Sequence, residues 1–154
     1  MKRSTIAKTF TIAAITALAL GLAPTAKADD KGCSNATLKG TFAFTANGFF
    51  SPPPPAGAVP VAEVGTQTFD GNGGTTGAAT LSQGGTILKA TVTGTYSVNP
   101  DCTGILNVQG GGQKSQLFFA IDDTGNEILL ICMDQGFTLT GIARRQFQRG
   151  DPRQ

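Results

Sequence analysis

TILKATVTGTYSV, residues 86–98, is the stretch whose reading decides the fold. Leu88, Ala90, Val92, Gly94, Tyr96 and Val98 alternate with Ile87, Lys89, Thr91, Thr93, Thr95 and Ser97. Successive side chains of a β-strand point to opposite faces, so one face here is largely apolar and the other largely hydroxylic. Thr, Val, Ile and Tyr favour a pleated backbone, and glycine disfavours a helix. The strand runs into NPDC (99–102), whose Asn, Pro and Asp are turn residues.

The same period recurs on both sides. ATLKGTFAFTANG (36–48) sets Leu38, Gly40, Phe42, Phe44 and Ala46 on one face. VAEVGTQTF (61–69), TTGAATLS (75–82), TGILNVQ (103–109), SQLFFAID (115–122), NEILLICM (126–133) and FTLTGIARRQF (137–147) complete eight strands. No segment beyond residue 28 carries a 3.6-residue apolar repeat of helix length. The connections are short, glycine-rich turns with one exception, FFSPPPPAGAVP (49–60). Four consecutive prolines supply no N–H donors and favour polyproline II, so this segment reads as a long stiff loop.

Short links join antiparallel neighbours, and eight of them predict an all-β, eight-stranded antiparallel up-and-down β-barrel. A two-sheet β-sandwich uses the same strands and is the alternative. In either case the apolar phase turns Phe42, Phe44, Val92, Tyr96, Phe119 and Phe137 inward, as core or as the lining of a ligand cavity.

In a meander, strand ends alternate between two poles. Cys33, before the first strand, and Cys102, after the fourth, share a pole; Cys132, late in the seventh, lies toward the other. The expected disulfide is therefore Cys33–Cys102, stabilising by roughly 4 kcal/mol on chain-entropy grounds. Cys132, within ILLIC, reads as a small core residue.

The first 28 residues read as a signal peptide. Lys2, Arg3 and Lys8 precede the apolar TFTIAAITALALGLA (9–23), and Ala26-Lys27-Ala28 is a cleavage site. The expected organisation is a leader over 1–28, one barrel domain over 29–148 and a disordered basic tail over 149–154. A secreted or periplasmic location follows, and it suits a disulfide. No membrane association is expected once the leader is cleaved.

Four of the 12 basic residues and none of the 10 acidic ones fall in the leader, so the mature chain would carry −2. Its positive charge collects at Arg144, Arg145, Arg149 and Arg153, a solvated end rather than a nucleic-acid face, so no nucleic-acid partner is expected. Histidine and tryptophan are absent. That excludes histidine triads and histidine-ligated metals, and three scattered cysteines cannot make a four-cysteine zinc site. Neither a metal nor a cofactor is expected.

Glu63 shares the parity of Gln67 and Phe69. If Phe69 points inward, Glu63 does too, and a carboxyl in an apolar bore would be a candidate acid or base. If the second strand starts later, Glu63 is a loop residue beside the prolines. Tyr96 would offer a hydroxyl to a bound oxygen or close a mouth with it. FDGNGG (69–74) and DDTGNE (122–127) match hairpin turns better than calcium loops, which need a distant bidentate Glu. The prolines at 52–55, beside Phe49 and Phe50, could dock a protein partner or lid the mouth.

The motif C-x4-L-x-G-x-F-x-F (Cys33–Phe44), together with FDGNG (69–73), GTYSVNPDCTG (94–104) and TGIAR (140–144), resembles small secreted bacterial proteins whose domains are similar to allene-oxide-cyclase-like barrels. The resemblance implies a closed barrel that binds a small apolar molecule. It also implies a possible cyclase or isomerase activity, with Glu63 as acid or base and Tyr96 or Gln67 orienting the substrate.

Overall fold

The computed structural model describes residues 32–146. The expected leader and the 149–154 tail lie outside the described residues. A single 3₁₀ turn, Asn35–Leu38, precedes eight strands: β1 Gly40–Phe50, β2 Val59–Phe69, β3 Gly74–Gln83, β4 Thr86–Val98, β5 Thr103–Gly110, β6 Gln113–Ile121, β7 Glu127–Cys132 and β8 Phe137–Arg145. Every sequential pair is antiparallel, and β8 pairs back onto β1 from Phe42–Arg145 to Phe50–Phe137. The sheet is a closed barrel, so the sandwich alternative is ruled out. Pairing slips along the strands, and a circuit of the wall returns to β1 about ten residues from its start, a stagger that tilts the strands steeply.

The sequence reading and the structure differ mainly at strand ends. β4 spans the residues expected. The stretch 36–38, expected to open β1, is 3₁₀ instead, because Ser34 and Thr37 cap each other's backbone and start a turn. β1 runs on through Phe49 and Phe50, and β2 begins at Val59. The loop that remains is 51–58; Pro60 stands within β2 opposite Phe49.

The apolar phase is as read. Phe42, Phe119, Tyr96, Phe69 and Leu106 are buried, and the ring of Phe69 meets Phe42 and Tyr96 edge-on at 5.5 and 5.0 Å. Such edge-to-face pairs add ~0.5–1.5 kcal/mol each beyond the area they bury. Glycines on the inner wall make room for these rings. Phe44 stands opposite Gly65 and Phe119 opposite Gly104. A Cβ at Gly65 would lie 2.8 Å from the Phe44 ring, and one at Gly104 2.3 Å from that of Phe119. The bore is thus filled by bulky side chains reaching across strands onto positions that have none.

Candidate functional site

The two poles of the barrel are built differently. At the lower pole, where β1 begins, the segment 32–39 crosses the mouth as a plug. Leu38 drops into the bore and is fully buried against the aromatic cluster. Cys33 is bonded to Cys102 across a Cα separation of 4.9 Å, and its N–H donates to the Pro100 carbonyl at 3.1 Å. Cys102 has φ 65°, unusual for a residue other than glycine. That conformation turns its side chain back to the plug. The Asn35 side chain accepts from the Val98 N–H at 2.8 Å, and the Tyr96 hydroxyl donates to the Asn35 carbonyl at 3.0 Å.

Arg145 completes the seal. Its guanidinium donates to the carbonyls of Thr37 (2.9 Å), Gly125 (2.8 Å) and Lys39, and lies 4.5 Å from the centre of the Phe42 ring. Burial lowers its pKa, opposed by the Asp122 charge. The expectation of a solvated basic end therefore fails at Arg145: on β8, positions 139, 143 and 145 share the inward parity, and the arginine reaches over the plug. Arg144, one residue earlier, points outward and pairs with Glu127 at 2.7 Å.

All three lower hairpins are held by an aspartate. Asp70 accepts from the N–H groups of Asn72, Gly73 and Gly74, Asp101 from the backbone and hydroxyl of Thr103, and Asp122 from Asn126, Glu127 and the Thr124 hydroxyl. These bonds hold each carboxyl below the ordinary aspartate range: backbone donors lead at Asp70, and the threonine hydroxyl leads at Asp101 and Asp122. FDGNGG and DDTGNE are hairpin turns, as read. Among the described residues no group of three or more acidic or cysteine side chains is arranged to hold a metal ion.

Among the described residues no segment plugs the upper pole. A small cluster of Ala46, Val61 and Leu139 is buried there, flanked by half-buried Phe50, Leu81 and Cys132. Phe50 packs on Phe137 at 4.8 Å between ring centres, and the Ser51 N–H donates to Gly136, which fastens the start of the proline loop to the β7–β8 turn. The β3–β4 hairpin rises above its neighbours, since β4 gains β5 as a partner only from Val92 on. Leu88, inward by parity, is 49% exposed.

Glu63 lies in β2, between Ala46 of β1 and Leu81 of β3, with the inward parity. The loop placement is thereby excluded. Glu63 is half-buried, makes no hydrogen bond or ion pair among the described residues, and burial raises its pKa. Gln67, four residues along the same face, is buried; its amide donates to the Thr75 hydroxyl at 2.7 Å, which donates in turn to the Thr68 carbonyl.

The structure therefore divides the residues expected to form one site. Glu63, Val92 and Phe137 face the upper bore and are half-buried, and Phe44, also half-buried, packs against the lower core. Phe42 and Phe119 belong to the sealed lower core, and so does Tyr96. The Tyr96 hydroxyl is committed to the plug, donating to Asn35 and accepting from the Gly71 N–H at 2.9 Å. Burial raises its pKa. Tyr96 is thus a positioning residue for the plug and is not placed beside Glu63. Cys132 is unpaired, near Asp134 at 3.6 Å, and burial raises its thiol pKa. Sequence reasoning missed Asn35, Leu38 and Arg145 as parts of the seal; parity alone pointed to the last two.

Two shallow depressions lie on the outer wall, one over Thr66, Ala78 and Thr91, the other over Thr95, Asn107 and Gln116. Both are open and lined mainly by short or uncharged side chains. Comparison with protein-family models, curated proteins and solved structures finds no match to this chain.

Proposed function

We propose that this protein is a binding barrel that takes a small, mostly apolar molecule at its upper pole, beneath the proline loop. The observation that carries this reading is the contrast along the bore. The large inward side chains below, Leu38, Phe42, Phe69, Tyr96 and Phe119, are buried, whereas above only Ala46, Val61, Ala79 and Leu139 are, and Phe50, Leu81, Val92 and Phe137 are half-buried and Leu88 half-exposed. Apolar groups facing inward but incompletely covered favour a ligand that covers them. Glu63 supplies one polar anchor among them, suited to a ligand with a hydroxyl or amine donor. The cysteine pair supports a life in an oxidising compartment, secreted or periplasmic.

Native mass spectrometry of the protein from its own host tests this reading, with displacement of an environment-sensitive apolar dye as the second measurement. A bound small molecule, and dye binding lost in Ala90→Phe, support it. A protein that carries nothing and binds the dye no better than Ala90→Phe overturns it.

A cyclase or isomerase reading is favoured by one observation, the Glu63 carboxyl in an apolar setting with no partner among the described residues, whose raised pKa suits proton transfer. It rests on Glu63 with Gln67 alone, since Tyr96 is engaged elsewhere. An activity retained in Glu63→Gln would end it.

A further inference from the structure

One cross-strand rung of the inner wall joins Ala46 on β1, Glu63 on β2, Leu81 on β3 and Leu88 on β4. Neighbouring strands lie ~4.8 Å apart, so Glu63 and Leu88 stand roughly 10 Å from each other along the wall. The rung changes character over that span. Ala46 is buried, Glu63 and Leu81 are half-buried, and Leu88 is half-exposed. One step below, the ring of Phe44 lies over Gly65 and closes the space there. Farther down, the Gln67 amide is engaged by the Thr75 hydroxyl. The Glu63 carboxyl thus stands at the inner end of an apolar strip whose outer end meets water.

Among the described residues no neighbouring element offers that carboxyl a positive charge. β1 and β3, which flank β2, carry no charged or titratable residue, and neither does the 51–58 loop. Lys89 on β4 and Lys114 on β6 have the outward parity. Arg144 and Arg145 lie at the lower end of β8. The other inward polar side chains of the upper half, such as Gln83, Ser115 and Cys132, are uncharged, and burial raises the Cys132 thiol pKa. A carboxylate partly removed from water without a cation costs free energy. The barrel itself supplies no cation to offset that cost.

We propose that the molecule taken at the upper pole is a primary amine with an apolar body of medium length, its ammonium paired with Glu63 and its body lying along Leu81 and Leu88 toward the mouth. This rests on the binding reading above and narrows it from apolar molecules in general to cationic amphiphiles. The ammonium makes a charge-assisted hydrogen bond to the carboxylate, and the body covers apolar side chains that the fold leaves partly in water. An alcohol of the same shape keeps only a bond between an ion and a neutral group. A carboxylic acid of the same shape brings a like charge and is repelled. An alkylammonium holds its proton to about pH 10, so the acid dependence of binding reports on Glu63 alone. Protonating Glu63 removes the partner charge, and amine affinity falls as pH falls through the raised Glu63 value.

Isothermal titration of protein expressed from the full chain with octylamine, octanol and octanoate tests the proposal. Octylamine is expected to bind at least about tenfold more tightly than octanol, and octanoate more weakly than either. Glu63→Gln brings octylamine down to the level of octanol, and Glu63→Lys puts octanoate ahead of octylamine. The advantage of octylamine in the wild type shrinks between pH 8 and pH 4. Thermal melts establish that each variant is folded. Octanol or octanoate binding as tightly as octylamine overturns the proposal, and so does an amine preference that survives Glu63→Gln. Binding of the neutral apolar dye with none of the three octyl compounds also overturns it, while leaving the binding reading in place. A protein that binds neither the dye nor any of the three ends both.

Discussion

The lower and upper halves of this barrel are made from the same strands yet solve different problems. Below, the bore is packed as a core. Leu38 fills the axis, three aromatic rings interlock above it, and Arg145, Tyr96, Asn35 and the Cys33–Cys102 bond fasten the plug. Above, the buried cluster is smaller, and the Glu63 carboxyl has no partner among the described residues. The lower half supplies stability, and that surplus lets the upper half keep incompletely covered apolar surface and a half-buried acid, both of which cost free energy.

The largest expected effect contrasts core and mouth. Phe119→Ala should cost ~3–5 kcal/mol in denaturant unfolding, and Leu88→Ala less than about 1 kcal/mol. Equal costs would erase the division into two halves. Next, the double change Cys33→Ser and Cys102→Ser should remove ~2–5 kcal/mol, since the bond spans a separation of 69 residues. Cys132→Ser, at the other pole, should be close to neutral. A smaller contrast separates two adjacent arginines. Arg145→Met strips the partly covered Thr37 and Gly125 carbonyls of a charged donor and should cost ~1–3 kcal/mol. Arg144→Met breaks an exposed ion pair and should cost under about 1 kcal/mol.

The smallest effects lie in pH dependence, and the two poles should respond with opposite sign. Asp70, Asp101 and Asp122 have folded pKa values below the ordinary 3.8. The unfolded chain binds their protons more readily. Their stabilisation is complete above that value and is lost as pH falls through the lowered folded values. Glu63 is raised above 4.5, so the folded chain holds its proton more tightly, and stability falls as pH rises from there through the raised folded value. Equilibrium unfolding across pH 2–8 should show Asp70→Asn flattening the acid limb, and Glu63→Gln raising stability at neutral pH relative to acid. A Glu63→Gln protein whose profile matches the wild type would place that carboxyl in water.

Much of this was legible in sequence because the period of a strand is two. β4 displays its inner face as Leu88, Ala90, Val92, Gly94, Tyr96 and Val98, and turn residues mark its end. With short links, alternation also assigns each strand end to a pole, which is why Cys33 and Cys102 could be paired and Cys132 left out. The plug was not legible. Leu38 continues the apolar phase of β1, so nothing in the pattern signals that the backbone leaves the strand at Lys39. The roles of Tyr96 and Arg145 were hidden for a related reason: parity tells which way a side chain points but not what meets it. Tyr96 faces inward as read, and only the fold brings Asn35 and Gly71 to its hydroxyl.

The wall begins and ends at the same pole. β1 starts beside the plug, and after β8 the Gln146 N–H is still bonded to Thr41. Whatever is joined ahead of residue 32 or beyond 146 therefore attaches on the stapled side. A support joined close to residue 32 or to residue 146 would leave the opposite opening pointing away from it, and the barrel would face the same way by either route.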